Sequence, residues 1–376
     1  MAHSTPAFGL YIHVPFCASR CGYCDFNTYV PEGRGQQLQF VDAALLELDH
    51  ARERIGERRV SSVFVGGGTP TLIGADALLR LLEGVDRAFG LAEDAEVTTE
   101  ANPESVDPAM LRSLRQGGFN RVSLGMQSAS PHVLRALDRA HTPGRAVQAA
   151  IEAREAGFEH VSLDLIYGTP GESDADWEHT LEAALGAGTD HISAYALTVE
   201  PGTAFGAAVR RGTVAPPDDD AQARRYRMAD ERFSAAGLHW YELSSWARDD
   251  AARCHHNLTY WRSDDWWGVG PGAHSHVAGV RWWNVRRPHE YAQALAAGRS
   301  PAAARELLTE QELALEAVML GLRTRGGLSL AALSPAGVRA AQRQADRGRL
   351  ELSDGVARLT LEGRLFADAV IRELSD

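Results

Sequence analysis

Three of the four cysteines lie close together on the chain, in the pattern Cys17-x3-Cys21-x2-Cys24. Three thiolates on one loop can hold three metal positions, but no fourth cysteine is nearby, since Cys254 is distant in sequence. A structural zinc site takes four protein ligands, usually as two close pairs. A cubane iron–sulfur cluster held by three cysteines leaves one iron open to a substrate or cofactor. Buried free thiols, and a zinc site completed by Cys254 or a histidine, are the alternative interpretations.

Short runs rich in β-branched residues alternate with longer amphipathic stretches, which predicts strands alternating with helices. Strands are predicted at 9–15, 60–65, 96–100, 121–126, 161–166 and 191–196, and helices at 38–55, 75–89, 108–116, 143–156 and 174–187. A further helix at 218–235 precedes a seventh predicted strand at 239–243. Such alternation is typical of parallel strands with right-handed crossovers. We therefore expect an α/β fold, either a partial barrel or an open doubly wound sheet.

Polar and glycine residues follow the predicted strands where each one ends. They are the run Gly66-Gly67-Gly68-Thr69-Pro70 after the second strand, Glu100 at the end of the third, Gln127 after the fourth, Asp164 late in the fifth and Thr198 after the sixth. In β/α barrels the carboxyl ends of the strands build the active site. Polar groups from five separate units are therefore expected to meet at one edge of the sheet.

The C-terminal tail is predicted to form a small, mostly helical module. Helices are expected at 310–322 and 335–347, followed by a hairpin of strands 350–353 and 356–360 around Asp354-Gly355. This order resembles a winged helix, whose usual role is nucleic-acid binding, although a packing or lid role is the alternative. We expect three regions: a barrel over 1–238, a Trp- and His-rich extension and linker over 239–300, and a C-terminal domain over 301–376.

Composition excludes several classes of function. All 38 basic residues are arginine, so lysine Schiff-base chemistry and a Walker-A loop are excluded. The net charge of −12 argues against general attraction to nucleic acid. No apolar run is long enough to span a membrane, and residues 1–10 lack the pattern of a secretory signal. A cytoplasmic protein without a disulfide framework is therefore expected.

The cysteine motif, with Tyr23 before its last cysteine, resembles the signature of radical S-adenosylmethionine (SAM) proteins. The resemblance implies a partial (β/α)6 TIM-like barrel and a [4Fe-4S] cluster held by Cys17, Cys21 and Cys24. In that family the open iron binds the amino and carboxylate groups of SAM. An electron from the cluster then cleaves SAM to methionine and a 5′-deoxyadenosyl radical.

Longer segments resemble the oxygen-independent coproporphyrinogen III oxidase (HemN) group over most of the chain. They are 11–17, 66–71, 121–127 and 164–168. The resemblance implies that Tyr11 packs beside the cluster and that the backbone of Gly67, Gly68 and Thr69 meets the SAM amino group. It also implies that further SAM contacts, to the amino, ribose and carboxylate groups, come from Tyr23, Glu100, Gln127, Arg139 and Asp164. The fork of Arg139 suits a carboxylate.

Two departures separate the chain from the oxidase. The oxidase has another cysteine two residues after the triad, where Phe26 stands here, and a longer arm before the position of Tyr11. The run Cys24-Asp25-Phe26-Asn27 is instead similar to the HemW branch of heme chaperones. That resemblance implies binding of heme and its delivery to apo-hemoproteins such as respiratory cytochromes. Porphyrinogen oxidation by radical SAM chemistry is the alternative function, and whether the chain is an enzyme stays open.

The second half of the chain holds residue types that suit a porphyrin. Seven of the eight tryptophans lie between Trp240 and Trp283, and the pattern His256-Asn-x-x-Tyr260 is typical of the HemW branch. A porphyrin needs a flat apolar slot, aromatic walls and often an axial histidine. Candidate groups are His256 and Cys254 as rival axial ligands, with His274 and His276 nearby and Arg286 and Arg287 for the propionates. Alternatively, the tryptophans close the open side of the barrel and the histidines are ordinary core or surface groups.

Overall fold

The computed structural model describes residues 7–139 and 141–375. Residues 1–6 lie outside the described residues, and they form part of the segment 1–10 whose sequence lacks the pattern of a secretory signal. Within the described ranges, no helix is both long enough and apolar enough to cross a membrane.

Six parallel strands in sequence order form the centre of the main sheet. They are β1 (Phe8–Val14), β2 (Val60–Gly67), β3 (Leu91–Ala101), β4 (Arg121–Gln127), β5 (His160–Tyr167) and β6 (His191–Ala196). Each strand pairs in parallel with the next one along the chain. The outer face of the sheet carries buried apolar residues that pack under the helices. Polar side chains lie toward the carboxyl ends of the strands. The predicted α/β partial barrel is therefore confirmed.

The crossovers that cover this sheet are helical. They are α1 (Arg34–Ile55), α2 (Ala75–Phe89), α3 (Pro108–Gln116), α4 (Pro131–Ala136), α5 (Arg145–Glu155) and α6 (Asp174–Gly186). Local capping sets where they begin: Asp107 accepts the Met110 N–H ahead of α3, and Ser173 forms a capping box with Asp176 at α6. Short 3-10 turns precede α2 and α3, at Pro70–Ile73 and Pro103–Ser105, and a third lies in the tail at Leu330–Ala332.

The predicted boundaries differ from the structure mainly at polar ends. Helix α1 starts at Arg34 rather than at 38, because its first turn is polar and carries no apolar signal. Strand β3 starts at Leu91 rather than at 96, since its exposed N-terminal part is acidic. The helix predicted at 143–156 is α5, Arg145–Glu155.

Beyond β6 the chain adds strands to both edges of the sheet. These elements are α7 (Ala204–Arg210), α8 (Asp219–Ala235), β7 (His239–Glu242), β8 (Ser245–Ala247), α9 (His255–Trp261), β9 (Asp265–Val269), β10 (His274–Val277), β11 (Val280–Asn284), α10 (Pro288–Ala296) and β12 (Ala302–Leu307). The seventh predicted strand, β7, joins a hairpin with β8, which pairs antiparallel to β6. Strand β9 returns to pair in parallel with β1.

The resulting sheet has the order β12-β11-β10-β9-β1-β2-β3-β4-β5-β6-β8-β7 over the described residues. Strands β8 to β12 were not predicted, because adjacent tryptophans such as Trp266-Trp267 and Trp282-Trp283 place an aromatic on each face and hide the two-residue period. The part of the Trp-rich segment that follows α9 therefore extends the sheet at its β1 edge, whereas Trp240 on β7 and Trp246 on β8 lie at the β6 edge.

The tail forms a second, smaller core. Its elements are α11 (Glu310–Leu322), β13 (Leu328–Ser329), α12 (Pro335–Asp346), β14 (Leu350–Ser353), β15 (Val356–Leu359), α13 (Leu361–Leu365) and α14 (Ala367–Ser375), with a sheet of order β13-β15-β14. Asp354 and Gly355 both have positive φ, as the two-residue hairpin requires. The predicted two helices and hairpin are confirmed.

Candidate cluster and cofactor site

A cavity of ≈ 830 Å³ opens at the carboxyl ends of β1–β6. That volume lies within the range of small-molecule sites, about 300–1,000 Å³. Every predicted cluster and cofactor residue lines it: Tyr11, Cys17, Cys21, Tyr23, Cys24, Gly67, Gly68, Thr69, Glu100, Gln127, Arg139 and Asp164. The tertiary structure thus brings together the groups that the sequence places after separate strands.

The cysteine loop is fastened to its own strand end. The Tyr29 N–H donates to the Pro15 carbonyl (2.7 Å) and the Cys17 N–H donates to the Tyr29 carbonyl (3.0 Å), so the loop leaves and returns at one point. The Cys24 N–H donates to the Cys21 carbonyl (3.3 Å), which closes a tight turn between the last two cysteines. All three thiols are half-buried at the cavity.

Two hydrogen-bond donors from outside the cysteine loop lie near the cysteine sulfurs. The Thr69 hydroxyl lies 3.8 Å from Cys17 Sγ, and Arg139 Nη1 lies 3.5 Å from Cys21 Sγ. Burial raises the pKa of the Cys17 thiol, and the bond from Thr69 partly opposes it. Binding of a metal would have to displace that proton, as thiolate ligation generally does. The two donors stabilise thiolates once they form.

The cysteine loop offers thiols, the donors that hold iron–sulfur clusters in proteins. Among residues 7–139 and 141–375, no three His, Cys, Asp or Glu side chains converge closely enough to hold one metal ion. Thiolates that each bind a different iron need not converge on one point. Cys254 lines the same cavity, but its buried thiol lies 3.6 Å from a Glu96 carboxylate oxygen on β3.

Two glycines let the second loop press against the cysteine loop. A Cβ on Gly67, whose φ is +106°, would lie 2.6 Å from the His13 ring, and one on Gly68 would lie 2.4 Å from the Phe16 carbonyl oxygen. The N–H groups of Gly68 and Thr69 donate to Val14 and Phe16. A cofactor ammonium would therefore be met by carbonyl oxygens of this segment rather than by its N–H groups.

Two carboxyl groups line the cavity, that of Glu100 on β3 and that of Asp164 on β5. Glu100 accepts the Gly67 N–H (2.9 Å), and burial together with the charge of Asp164 raises the pKa of Glu100 to about 8. Asp164 accepts the Ser123 hydroxyl (2.8 Å), and burial raises its pKa to about 6. Carboxyls with pKa values raised by burial attract a cationic partner, because that partner relieves the cost of their charge.

Arg139 carries an unsatisfied donor. Its Nη2 donates to the Gly125 carbonyl (3.1 Å), while its buried Nε has no partner among the described residues. Gly125 leaves room for both side chains, since a Cβ there would lie 2.8 Å from Arg139 Nη2 and from Gln127 Nε2. Gln127 itself has a positive φ of 63°, a conformation that is costly outside glycine and is often kept at functional sites. The free donor fits the carboxylate of an amino-acid-like cofactor.

His13 is a residue that the sequence analysis did not assign to the site. Its Nδ1 lies 2.9 Å from the Tyr11 hydroxyl, and its Nε2 lies 2.9 Å from the Asn27 carbonyl oxygen. It thereby ties Tyr11 to the cysteine loop. The sequence does carry a signal for His13: it lies two residues after Tyr11 on one strand, and that spacing places both side chains on the same face.

The two predicted heme ligands lie in the barrel interior. His256 is fully buried; its Nδ1 is 2.9 Å from the Ser62 hydroxyl and its Nε2 is 2.8 Å from the Tyr260 hydroxyl. Burial lowers the pKa of His256 to about 4, so the ring is neutral. Burial raises the pKa of the Cys254 thiol, which donates to Glu96. Ligation by His256 would require it to give up one of these hydrogen bonds, and both assignments stay predictions.

Comparison with known proteins decides the family. The model of the radical SAM superfamily matches residues 11–184, and that of the HemN C-terminal domain matches 308–366. The chain is 51% identical over 369 residues to the heme chaperone HemW of Mycobacterium tuberculosis, covering 98% of this chain and 94% of the relative. This chain belongs to the HemW family of radical SAM proteins. Identity to HemW of Bacillus subtilis is 32% over 372 residues, covering 96% of this chain and 97% of the relative.

The HemW family shares its fold with HemN, as the sequence resemblance predicted. The solved structure of coproporphyrinogen III oxidase (HemN) from Escherichia coli, a radical SAM enzyme, matches with a TM-score of 0.84. The two sequences are 23% identical, and the match covers 98% of this chain and 90% of that one. The likeness extends from the barrel through the C-terminal domain and is a likeness of fold.

The HemW-like run after the cysteines has a structural role. Asn27 Nδ2 donates to the Pro271 carbonyl (3.0 Å) and to the Arg286 carbonyl (2.9 Å), which fastens the cysteine loop to the sheet extension. A Cβ on Gly272, whose φ is +77°, would lie 2.7 Å from Asn27 Nδ2, so a glycine is needed there. Phe26 is 55% exposed beside it and lines the cavity.

Proposed function

We propose that this chain binds heme and transfers it to apo-hemoproteins, and that it carries a [4Fe-4S] cluster and SAM. The observation that carries the proposal is the 51% identity, across nearly the whole of both chains, with a protein named heme chaperone HemW. Respiratory hemoproteins are the recipients that we favour. Phe26, at the position of the additional cysteine of the oxidase, argues for this function over porphyrinogen oxidation.

We assign the cluster to Cys17, Cys21 and Cys24, with Thr69 and Arg139 as donors to their thiolates. When bound, the cluster supplies a low-potential electron and one iron that is open to the cofactor. Glu100 and Asp164 are suited to hold the cationic amino group of SAM or its ribose, and the free Nε of Arg139 is suited to its carboxylate. Tyr11, Tyr23, Gly67, Gly68 and Gln127 complete the proposed cofactor contacts.

The cavity residues also control water and protons. Glu100 and Asp164 are both buried at the carboxyl edge of the sheet, and the pKa values of both are raised. At neutral pH the raised pKa of Glu100 keeps it largely protonated until a cation binds. Binding of a SAM ammonium is then expected to release a proton from Glu100. Tyr11 and His13 form a hydrogen-bonded wall toward the cysteine loop, which limits access of solvent from that side.

We further propose three functional regions: a radical SAM barrel over 1–238, an extension over 239–300 and a HemN-like domain over 301–376. The separate apolar core around Val318, Leu322 and Val370 supports the last of these. The extension continues the sheet of the barrel through β9, which pairs with β1.

The test is anaerobic reconstitution of the full chain, followed by three parallel assays. We expect a Soret band on hemin addition and loss of bound heme on mixing with an apo-hemoprotein. Absence of any heme-dependent spectral change would refute the proposal. Decarboxylated porphyrin products, formed with a reductant and coproporphyrinogen III, would instead establish the oxidase alternative. Release of 5′-deoxyadenosine reports whether SAM is cleaved.

A further inference from the structure

Strands β9 to β11 extend the cavity-facing side of β1. Tyr11 pairs with Gly268 on β9, and Gly9 pairs with Trp266 two residues earlier. Trp266 pairs in turn with His276 on β10, and His274 pairs with Trp283 on β11. Paired residues, and residues two apart on a strand, share a face. The face that carries Tyr11 and His13 therefore continues onto a surface formed by His274, His276 and Trp283, which we call the His274 shelf.

His274 differs from His13, His256 and His276 on this face and in the adjoining cavity. His141 also lines that cavity and its Nδ1 has no partner among the described residues, but its side chain is buried. Both nitrogens of His13 and both of His256 have partners, and buried His276 places its Nδ1 3.1 Å from the Asp264 carbonyl oxygen. His274 is exposed, and its imidazole makes no hydrogen bond within residues 7–139 and 141–375. Its nitrogens are therefore available to a ligand.

Trp283 fixes the orientation of that imidazole. The two rings stack, with centroids 5.6 Å apart and planes 23° from parallel. Stacking uses the faces of the imidazole and leaves its nitrogens at the edge, in the ring plane. A metal bound through an edge nitrogen needs that geometry, so Trp283 positions the ring without competing for it.

The charges around the shelf suit an anionic metal complex. Burial lowers the pKa of His274 and the positive charge of Arg286 lowers it further, while Glu306 opposes the shift. The lowered pKa favours the neutral ring, which is the form that binds metals. Arg286 makes no ion pair with the described residues, whereas Arg281 is already paired with Glu316. Arg286 is therefore free to pair with a carboxylate of the ligand.

We propose that heme binds on the His274 shelf with His274 as an axial ligand, Trp283 as the positioning residue and Arg286 as the partner of a propionate. The inference rests on the proposed heme-binding function and assigns its site. Asn27 joins the cysteine loop to the Arg286 carbonyl, so heme at this place would lie directly beside the cluster loop.

The test is titration of hemin into the reconstituted full chain, followed by the Soret band, for wild type, His274→Ala and a control, His179→Ala. His179 is also exposed but lies on α6, on the outer side of the barrel. We expect His274→Ala to weaken binding at least about tenfold, as loss of metal-site groups commonly does, and His179→Ala to bind as wild type. Added imidazole should restore the wild-type Soret position to His274→Ala.

The outcomes separate this inference from the function on which it rests. If His274→Ala binds hemin with the affinity and spectrum of wild type, the His274 shelf is not the site, and buried His256 or Cys254 becomes the ligand to test. If wild type gives no Soret band, the proposed function and the inference both fail. Far-ultraviolet circular dichroism of His274→Ala should match wild type, because the substituted side chain is exposed.

Discussion

A buried ion pair holds the segment that carries both predicted heme ligands. Arg121 Nε donates to Glu96 (2.9 Å), and the two side chains are only 1% and 7% exposed. Glu96 also accepts the N–H groups of His255 (3.0 Å) and His256 (2.9 Å) at the start of α9. Burial alone would raise the pKa of Glu96, but Arg121 and these donors hold it below its usual value. Glu96 is therefore charged, and its carboxylate accepts hydrogen bonds from Arg121 and from the start of α9.

The substitution Glu96→Gln removes this charge and leaves Arg121 buried without a counterion. Breaking a buried pair in this way costs about 3–5 kcal/mol of unfolding free energy. With a urea m-value of about 3 kcal/mol/M, the midpoint should fall by roughly 1 M or more. The assay is urea unfolding followed by far-ultraviolet circular dichroism at pH 7. The double variant Glu96→Leu with Arg121→Met should recover part of the loss, because no charge is then left buried.

A matched control is Glu159→Gln, which breaks the exposed pair of Arg115 and Glu159, 32% and 54% exposed. Such surface pairs contribute less than about 1 kcal/mol. The reasoning is refuted if Glu96→Gln shifts the midpoint no more than Glu159→Gln does. A large loss that the double variant does not relieve would show that the hydrogen bonds to α9, rather than the stranded charge, carry the effect.

Three further predictions concern the site and its support. Cys21→Ser should abolish the visible cluster absorbance with the circular dichroism of the barrel unchanged, whereas Cys254→Ser should keep the absorbance; the opposite pattern would favour a site that includes Cys254. Arg139→Met should weaken SAM binding by about tenfold or more, measured by calorimetry, since a charge-assisted pair contributes about 1.5–3 kcal/mol; unchanged affinity would place the cofactor elsewhere. Burial raises the pKa of Glu47 from 4.5 to about 7, so the folded state holds a proton that the unfolded state has lost, and stability should fall as pH rises through 4.5–7 and then level. Glu47→Gln should flatten that part of the pH profile, and an unchanged profile would exclude Glu47 as its source.

Much of the site could be predicted because its signals are local. The cysteine spacing, the glycines after β2 and the polar residues after β3 to β5 are each defined within a few residues, and the parallel α/β pattern places all strand ends at one edge. The roles of His13 and Asn27 could not be predicted, since each depends on a contact with another loop: His13 on the Asn27 carbonyl, and Asn27 on the Pro271 and Arg286 carbonyls.

The sequence by itself determined the α/β class, the cysteine motif and the resemblance to HemW, because these depend on residue types at short spacing. Only the tertiary structure decided how the Trp- and His-rich segment is used. Strand β9 pairs with β1 across more than two thirds of the chain, and in the resulting fold His256 is buried while His274 is exposed on Trp283. His256 and His274 thus differ, because burial and hydrogen bonding satisfy the nitrogens of His256 and leave those of His274 accessible.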